Sequence, residues 1–277
     1  MNKFILILCL GLFSLTGCSR LDIAFRWADT YIASKVDDYF DISSKQSKEL
    51  KHGIQKDLQE LKAQVLPGWI DRLQGIQQEV QEGSINDTRV AFYFSSFLKD
   101  VEHINSYFST TAVDFIASTN PTQLEHFNKA FQKKNREDLE KAQDLAKVKK
   151  EYREKYEEWF EMFLGSLTPE QMKMMEDNLN NSPFPAELKA KNKSFVMQSF
   201  LRHKDSPDEM KNFVKDYYNN PDKYDLPEYR SAFTKYQANL QKLVAQIISM
   251  MTQKQKESLK ENINEKTAQL HSIIARG

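Results

Sequence analysis

The spacing of apolar residues constrains this 277-residue chain more than any other feature of its sequence. Apolar side chains recur every three or four residues almost from end to end, which places them on one face of an α-helix. The alternation of apolar and polar residues that is typical of strands is absent, and only 8 glycines interrupt the pattern. The sequence therefore predicts an all-α fold, an elongated multi-helix bundle built of helical hairpins. The three most regular stripes are Leu50, Ile54, Leu58, Leu61 and Val65; Ile70, Leu73 and Val80; and Phe94, Phe97, Val101, Ile104 and Phe108.

Three short segments predict where helices begin. A Ser, Thr or Asn side chain can accept hydrogen bonds from the free N–H groups of a first turn, and proline fits the first helical position. A Glu or Gln three residues after the cap can accept a bond from the cap's own N–H. The segments are Asn120-Pro121-Thr122-Gln123, Thr168-Pro169-Glu170-Gln171 and Ser206-Pro207-Asp208-Glu209. Breaks between helices are expected at residues 180–185 and 219–222, which are rich in Asn and Pro.

A long polar stretch over residues 133–158 carries mixed charges and a thin apolar stripe. We predict one extended, partly exposed helix here, because pairs four residues apart such as Glu151 and Lys155 favour a helix. The alternative is a disordered charged linker.

The first residues have the pattern of a secretory signal. Lys3 is followed by an apolar run over residues 4–13, which is too short to span a bilayer as a permanent helix. The run ends in Leu15-Thr16-Gly17-Cys18, which resembles the lipobox of bacterial lipoproteins. That resemblance implies a signal peptide over residues 1–17 and a diacylglyceryl group on the Cys18 thiol. Residues 18–277 would then form a lipid-anchored, all-helical domain, with sub-units at 18–118 and 119–277 as one way to divide it. The alternative is an ordinary signal with an incidental cysteine.

The residue after Cys18 bears on localisation. Ser19 stands where an aspartate would resemble the inner-membrane retention signal of such lipoproteins. We therefore expect the outer membrane, with the protein facing the periplasm and surface exposure as the alternative.

The 39 basic and 39 acidic residues balance and are interleaved, so binding to nucleic acid is not expected. The expected partners are the membrane, through the Cys18 lipid, and other envelope proteins. The oligomeric state is left open.

A five-residue motif occurs twice. Residues 167–171 read LTPEQ and residues 251–255 read MTQKQ, and the apolar residues around the two copies also align. The motif resembles the LTxxQ motif of periplasmic stress proteins of the Spy and CpxP type, which implies a helical, cofactor-free protein and a repeated helical hairpin. Thr-x-x-Gln is also a capping box, so we interpret Thr168, Gln171, Thr252 and Gln255 as helix caps. A weaker third copy lies at residues 42–46.

A second resemblance covers most of the mature chain. It rests on CSRLD at 18–22, FRWAD at 25–29, DDYFDI at 37–42, Gln46 and PGW at 67–69. These segments resemble an uncharacterised family of proteobacterial helical lipoproteins. The resemblance implies a class and a location, and no activity.

The residues give no catalytic set, no cofactor site and no metal site. Glu49 and His52 form one Glu-x-x-His unit, which di-iron bundles use twice, but no second unit follows. Methionines cluster around both motif copies and could bind Cu(I), although methionine is more often an adaptable filler of helical cores. The leading hypothesis is therefore a non-catalytic envelope protein that binds other envelope proteins, with a chaperone-like role as one form of that binding. The alternatives are a cell-wall-modifying enzyme and a structural spacer or assembly factor.

Overall fold

The computed structural model describes residues 20–276, with side chains from residue 23 onward. The predicted signal peptide and Cys18 lie outside the described residues. The described part is all-α and contains no strand, as the spacing of apolar residues predicts. None of its helices is both long enough and apolar enough to cross a membrane. The helices are α1 (Arg20–Phe40), α2 (Ser44–Gln64), α3 (Leu66–Glu82), α4 (Asp87–Tyr107), α5 (Ser109–Ala117), α6 (Pro121–Gln143), α7 (Leu145–Leu164), α8 (Pro169–Asn181), α9 (Ala186–Leu201), α10 (Pro207–Asn219), a 3-10 turn (Pro221–Tyr224), α11 (Pro227–Ser249) and α12 (Gln253–Ala275).

The three predicted helix starts are confirmed. Asn120 and Thr168 each cap a helix whose first residue is proline, and both form the complete capping box with the glutamine three residues later. Ser206 caps α10 through its hydroxyl, which accepts from the N–H of Glu209 at 3.4 Å. The carboxylate of Glu209 contacts His203 at 3.0 Å, so the box there is incomplete. The breaks at residues 180–185 and 219–222 are also confirmed.

The prediction of one extended helix over residues 133–158 is wrong at a single position. The chain there is helical, but α6 ends at Gln143 and α7 begins at Leu145. Asp144, between them, has a ψ of 85°, far from the helical value, and its carboxylate accepts from the N–H of Lys147 at 3.0 Å. Asp144 thus caps a new helix, because aspartate is among the side chains that best satisfy a free first turn.

Of the two apolar cores in the described residues, the larger joins α1 and the helices that follow it to the C-terminal end of the chain. The first two predicted stripes are fully buried in it, beside residues of α7, α8, α11 and α12. The third stripe belongs to the larger core only in part: Ile104 and Phe108 are buried in it, and Phe97 is partly buried against it.

A smaller core lies where α6, α9 and α10 meet the end of α1. Phe40 stacks on Phe127 with ring centroids 4.5 Å apart, and Phe200 meets Phe127 edge to face at 5.8 Å. Such pairs add to the free energy gained by burying apolar surface. Both cores include residues from each side of residue 118, so a boundary at 118/119 does not separate two cores.

In the described residues, four hairpins, here meaning two consecutive helices joined by a short turn, pack together in two pairs. In the first pair, α1–α2 and α5–α6, helix α1 lies on α6 and α2 lies on α5. In the second pair, α7–α8 and α11–α12, helix α7 lies on α12 and α8 lies on α11. In each pair, the first helix of one hairpin thus contacts the second helix of the other. This arrangement brings the turns of two hairpins together.

Candidate functional site: paired helix caps

Thr168 and Thr252 occupy equivalent places at the starts of α8 and α12. The Thr168 hydroxyl accepts from the N–H of Gln171 at 3.2 Å, and the Gln171 side-chain oxygen accepts from the N–H of Thr168 at 2.9 Å. At Thr252 and Gln255 the same two distances are 3.2 and 3.0 Å. Each pair satisfies backbone N–H groups that a helix start otherwise leaves without partners.

The two glutamines also bond to each other. The Gln171 amide nitrogen donates to the Gln255 side-chain oxygen at 3.2 Å, and the Gln255 nitrogen donates to the Gln171 oxygen at 2.8 Å. Each nitrogen also reaches a backbone oxygen: that of Ser166 lies 2.8 Å from Gln255, and that of Ile247 lies 3.5 Å from Gln171. Gln171 is 0% exposed and Gln255 3%. Buried polar groups need such partners, and each of these amides donates two hydrogen bonds and accepts two. The paired amides therefore join the two hairpins with all their polar atoms bonded.

The same arrangement exists a second time, at the first pair of hairpins. Ser43 and Asn120 form complete capping boxes with Gln46 and Gln123. The Gln46 nitrogen donates to the Gln123 oxygen at 3.1 Å, and the Gln123 nitrogen donates to the Gln46 oxygen at 2.9 Å. The sequence gives residues 42–46 only as a weak motif copy and Asn120 only as a helix start. The shared signal is a capping residue followed by glutamine at the third position, in the short turn of a hairpin.

The two glutamine pairs differ in their exposure to solvent. The Gln46–Gln123 pair lines an open cleft of about 600 Å³, whose rim carries Asp41, Lys45 and Glu49. Asp41 has a φ of +50°, a left-handed conformation that aspartate tolerates better than most residues. Its carbonyl accepts from the Gln123 amide at 3.2 Å.

Two methionines are exposed next to the buried Gln171–Gln255 pair. Met172 directly follows Gln171, and Met250 lies two residues before Thr252. Both side chains are exposed, whereas Met175 and Met251 belong to the larger core. The methionines that the sequence groups together thus divide into core residues and surface residues.

Buried titratable groups lie away from the caps. The hydroxyl of Tyr156 donates to that of Tyr236 at 2.7 Å, and burial raises the pKa of Tyr156 to about 12. Asp57 on α2 is buried, and one of its oxygens has no hydrogen-bond partner, so burial raises the pKa of that carboxyl. Within residues 20–276, His, Cys, Asp and Glu side chains form no group of three or more that could hold a metal ion.

Comparisons with known proteins give one match. No curated protein and no solved structure matches the chain. The model of a family of unknown function, DUF6279, matches residues 38–230. This range includes the caps at Ser43, Asn120 and Thr168 and ends before Thr252. Because the match covers well over half of the chain, the protein belongs to this family of unknown function, DUF6279.

Proposed function

We propose that this protein is a lipid-anchored envelope protein that binds other envelope proteins without catalysing a reaction, in a chaperone-like manner. Its lipid would sit on Cys18, and its location would be the periplasmic side of the outer membrane. The observation that carries the binding role is the pair of exposed methionines beside the Gln171–Gln255 pair.

Methionine suits a surface that must contact many partners. Its side chain is unbranched, flexible and polarizable, so it adapts to apolar surfaces of different shapes. Met172 and Met250 lie on two hairpins whose turns are held together by the buried glutamine pair. The scaffold beneath them is therefore fixed, while the contact atoms are free to adjust.

The threonines and glutamines of the motif are already used within the fold. Thr168, Gln171 and Gln255 direct their polar atoms to each other and to the backbone. A client would have to break these bonds in order to reach them. Binding through the neighbouring apolar side chains requires no such loss.

The test compares Met172→Gln and Met250→Gln, made singly and together, with two matched controls. Both changes replace exposed apolar side chains by polar ones of similar length. Lys173→Gln and Lys254→Gln make the same change at exposed polar positions close by. Each purified protein is mixed with a heat-denatured enzyme, and aggregation of the enzyme is followed by light scattering.

We expect the wild type and both lysine variants to suppress aggregation, and the doubly substituted methionine protein to lose most of that suppression with an unchanged thermal midpoint. Equal suppression by the methionine variant and the wild type would contradict the binding surface. Absence of suppression by the wild type would contradict the chaperone-like role. A photo-crosslinker placed at 172 and 250 in intact cells, with 173 and 254 as controls, would identify the partners.

A further inference from the structure

Helix α1 carries an exposed apolar stripe close to its start. Ile23, Trp27 and Tyr31 are 46%, 59% and 47% exposed. They are spaced four residues apart, so they form one line along the helix. Phe25 and Ala28 lie on the other side and are buried in the larger core.

Single exposed apolar residues are common on proteins, but an aligned group is a sign of an interaction surface. The stripe runs for about 12 Å along the helix, at 1.5 Å per residue. Two of its members are aromatic residues that combine an apolar ring with a polar tip. Trp and Tyr of this kind are enriched where a protein meets the boundary between lipid and water.

The position of the stripe in the chain indicates what covers it. Ile23 is only five residues after Cys18, a distance of at most about 18 Å even if the chain between them is fully extended. If Cys18 carries lipid, which is part of the proposed function, Ile23 is tied close to the bilayer surface. Trp27 and Tyr31 follow along the same face of α1.

The charges along the stripe are compatible with a phospholipid surface. Arg26 is exposed, and the Lys35 ammonium lies 5.9 Å from the centre of the Tyr31 ring and 2.7 Å from a carboxylate oxygen of Asp38. Asp29 is the only acidic residue between Ile23 and Lys35. It is buried and accepts from the Gln55 amide at 2.7 Å, so its charge faces the protein interior. Between Ile23 and Tyr31, therefore, no exposed acidic side chain would repel lipid phosphates.

We propose that the α1 stripe, formed by Ile23, Trp27 and Tyr31, lies in the headgroup region of the membrane to which Cys18 is anchored. The lipid then sets where the protein is held, and the stripe sets which face of the bundle rests on the membrane. The opposite surfaces remain turned toward the periplasm.

Quenching of tryptophan fluorescence by brominated lipids tests this placement. The full-length acylated protein is reconstituted into vesicles of phosphatidylethanolamine and phosphatidylglycerol with bromine on the acyl chains. Trp69 and Trp159 also fluoresce, and the Trp27→Phe variant measures their emission without that of Trp27. In a control, Phe92→Trp is added to Trp27→Phe, because Phe92 is exposed to a similar degree on a different helix. Flotation and the mass of the N-terminal peptide report separately on acylation.

We expect the wild type to lose a larger fraction of its emission than Trp27→Phe, and the Phe92→Trp control to show no added loss. Equal quenching of the wild type and Trp27→Phe in an acylated, floating protein would overturn the stripe's placement and leave the lipid anchor standing. Quenching of the Phe92→Trp control as strong as that of the wild type would also overturn it. An unacylated protein that fails to float would overturn the lipid anchor and the placement together.

Discussion

Thr168 holds the first turn of α8 by hydrogen bonds in both directions with Gln171. Replacing Thr168 by alanine should cost about 0.5–2 kcal/mol of the free energy of unfolding, because first-turn N–H groups lose their acceptor. Thr168→Ser and Thr168→Asp keep an acceptor and should be nearly neutral. Urea unfolding of the three variants measures the difference.

At Thr252, the alanine substitution should likewise destabilise the protein more than the substitutions by serine or aspartate. No proline stands at the first position of α12, so that helix start is less rigid. If Thr168→Ala leaves the unfolding curve intact and abolishes suppression of aggregation, the threonine contacts a client and the capping interpretation is wrong.

Asp57 is a second residue whose substitution should change the stability of the protein, in this case in a pH-dependent way. Burial raises the pKa of its carboxyl above that of the unfolded chain, and one oxygen has no hydrogen-bond partner. Its contribution to stability is therefore full below the unfolded-state pKa, and is lost as the pH rises through the folded-state pKa. Asp57→Asn should raise the thermal midpoint at pH 7 and have little effect in acid.

A control for this pH dependence is Asp177→Asn, which changes an exposed aspartate. It should shift the midpoint little at any pH. A midpoint for Asp57→Asn that falls below the wild type at pH 7 would show that the Asp57 carboxylate is stabilised in the folded protein.

At the scale of helices, the glutamine pairs join hairpins that are far apart in sequence. Gln171 and Gln255 are separated by 84 residues, and both are buried. Removing one side chain takes away the capping bond of that helix and one of the hydrogen-bond partners of the other, buried amide, at a cost of about 1–3 kcal/mol. Gln171→Ala and Gln255→Ala should therefore each destabilise the protein, and the double variant should cost less than the sum of the two.

The more exposed pair provides the comparison for this cycle. Gln46 lies at the edge of an open cleft, so water can replace a lost partner there. Gln46→Ala should cost less than Gln171→Ala in urea unfolding. Strictly additive losses at Gln171 and Gln255 would mean that the two amides do not depend on each other.

The local features of the helices could be predicted from the sequence, whereas the contacts between distant helices could not. The stripe from Leu50 to Val65 and the cap at Thr168 are local patterns, and both were predictable from spacing and residue type. The break at Asp144 was missed because a single capping residue does not interrupt the apolar spacing on either side. The glutamine pairing was missed because nothing local specifies which hairpins meet.

At the scale of the whole molecule, the same limit applies to surfaces. Helix α1 carries apolar residues on two faces, with Phe25 buried and Trp27 exposed. Spacing alone predicts a helix there, but only the packing of α1 on its neighbours decides which face is covered. The exposure of the α1 stripe could therefore not be predicted from the sequence, although the spacing of its three residues can be read there.

The lipid proposed on Cys18 decides whether the proposed binding surface and the α1 stripe operate at a membrane. Its most direct measurement is membrane fractionation of cells that produce the wild type or Cys18→Ser, with the mass of the N-terminal peptide and sensitivity to globomycin measured in parallel. We expect an acylated, globomycin-sensitive wild type in the membrane fraction, and an uncleaved or soluble Cys18→Ser protein. Normal membrane fractionation of Cys18→Ser would contradict the lipid anchor.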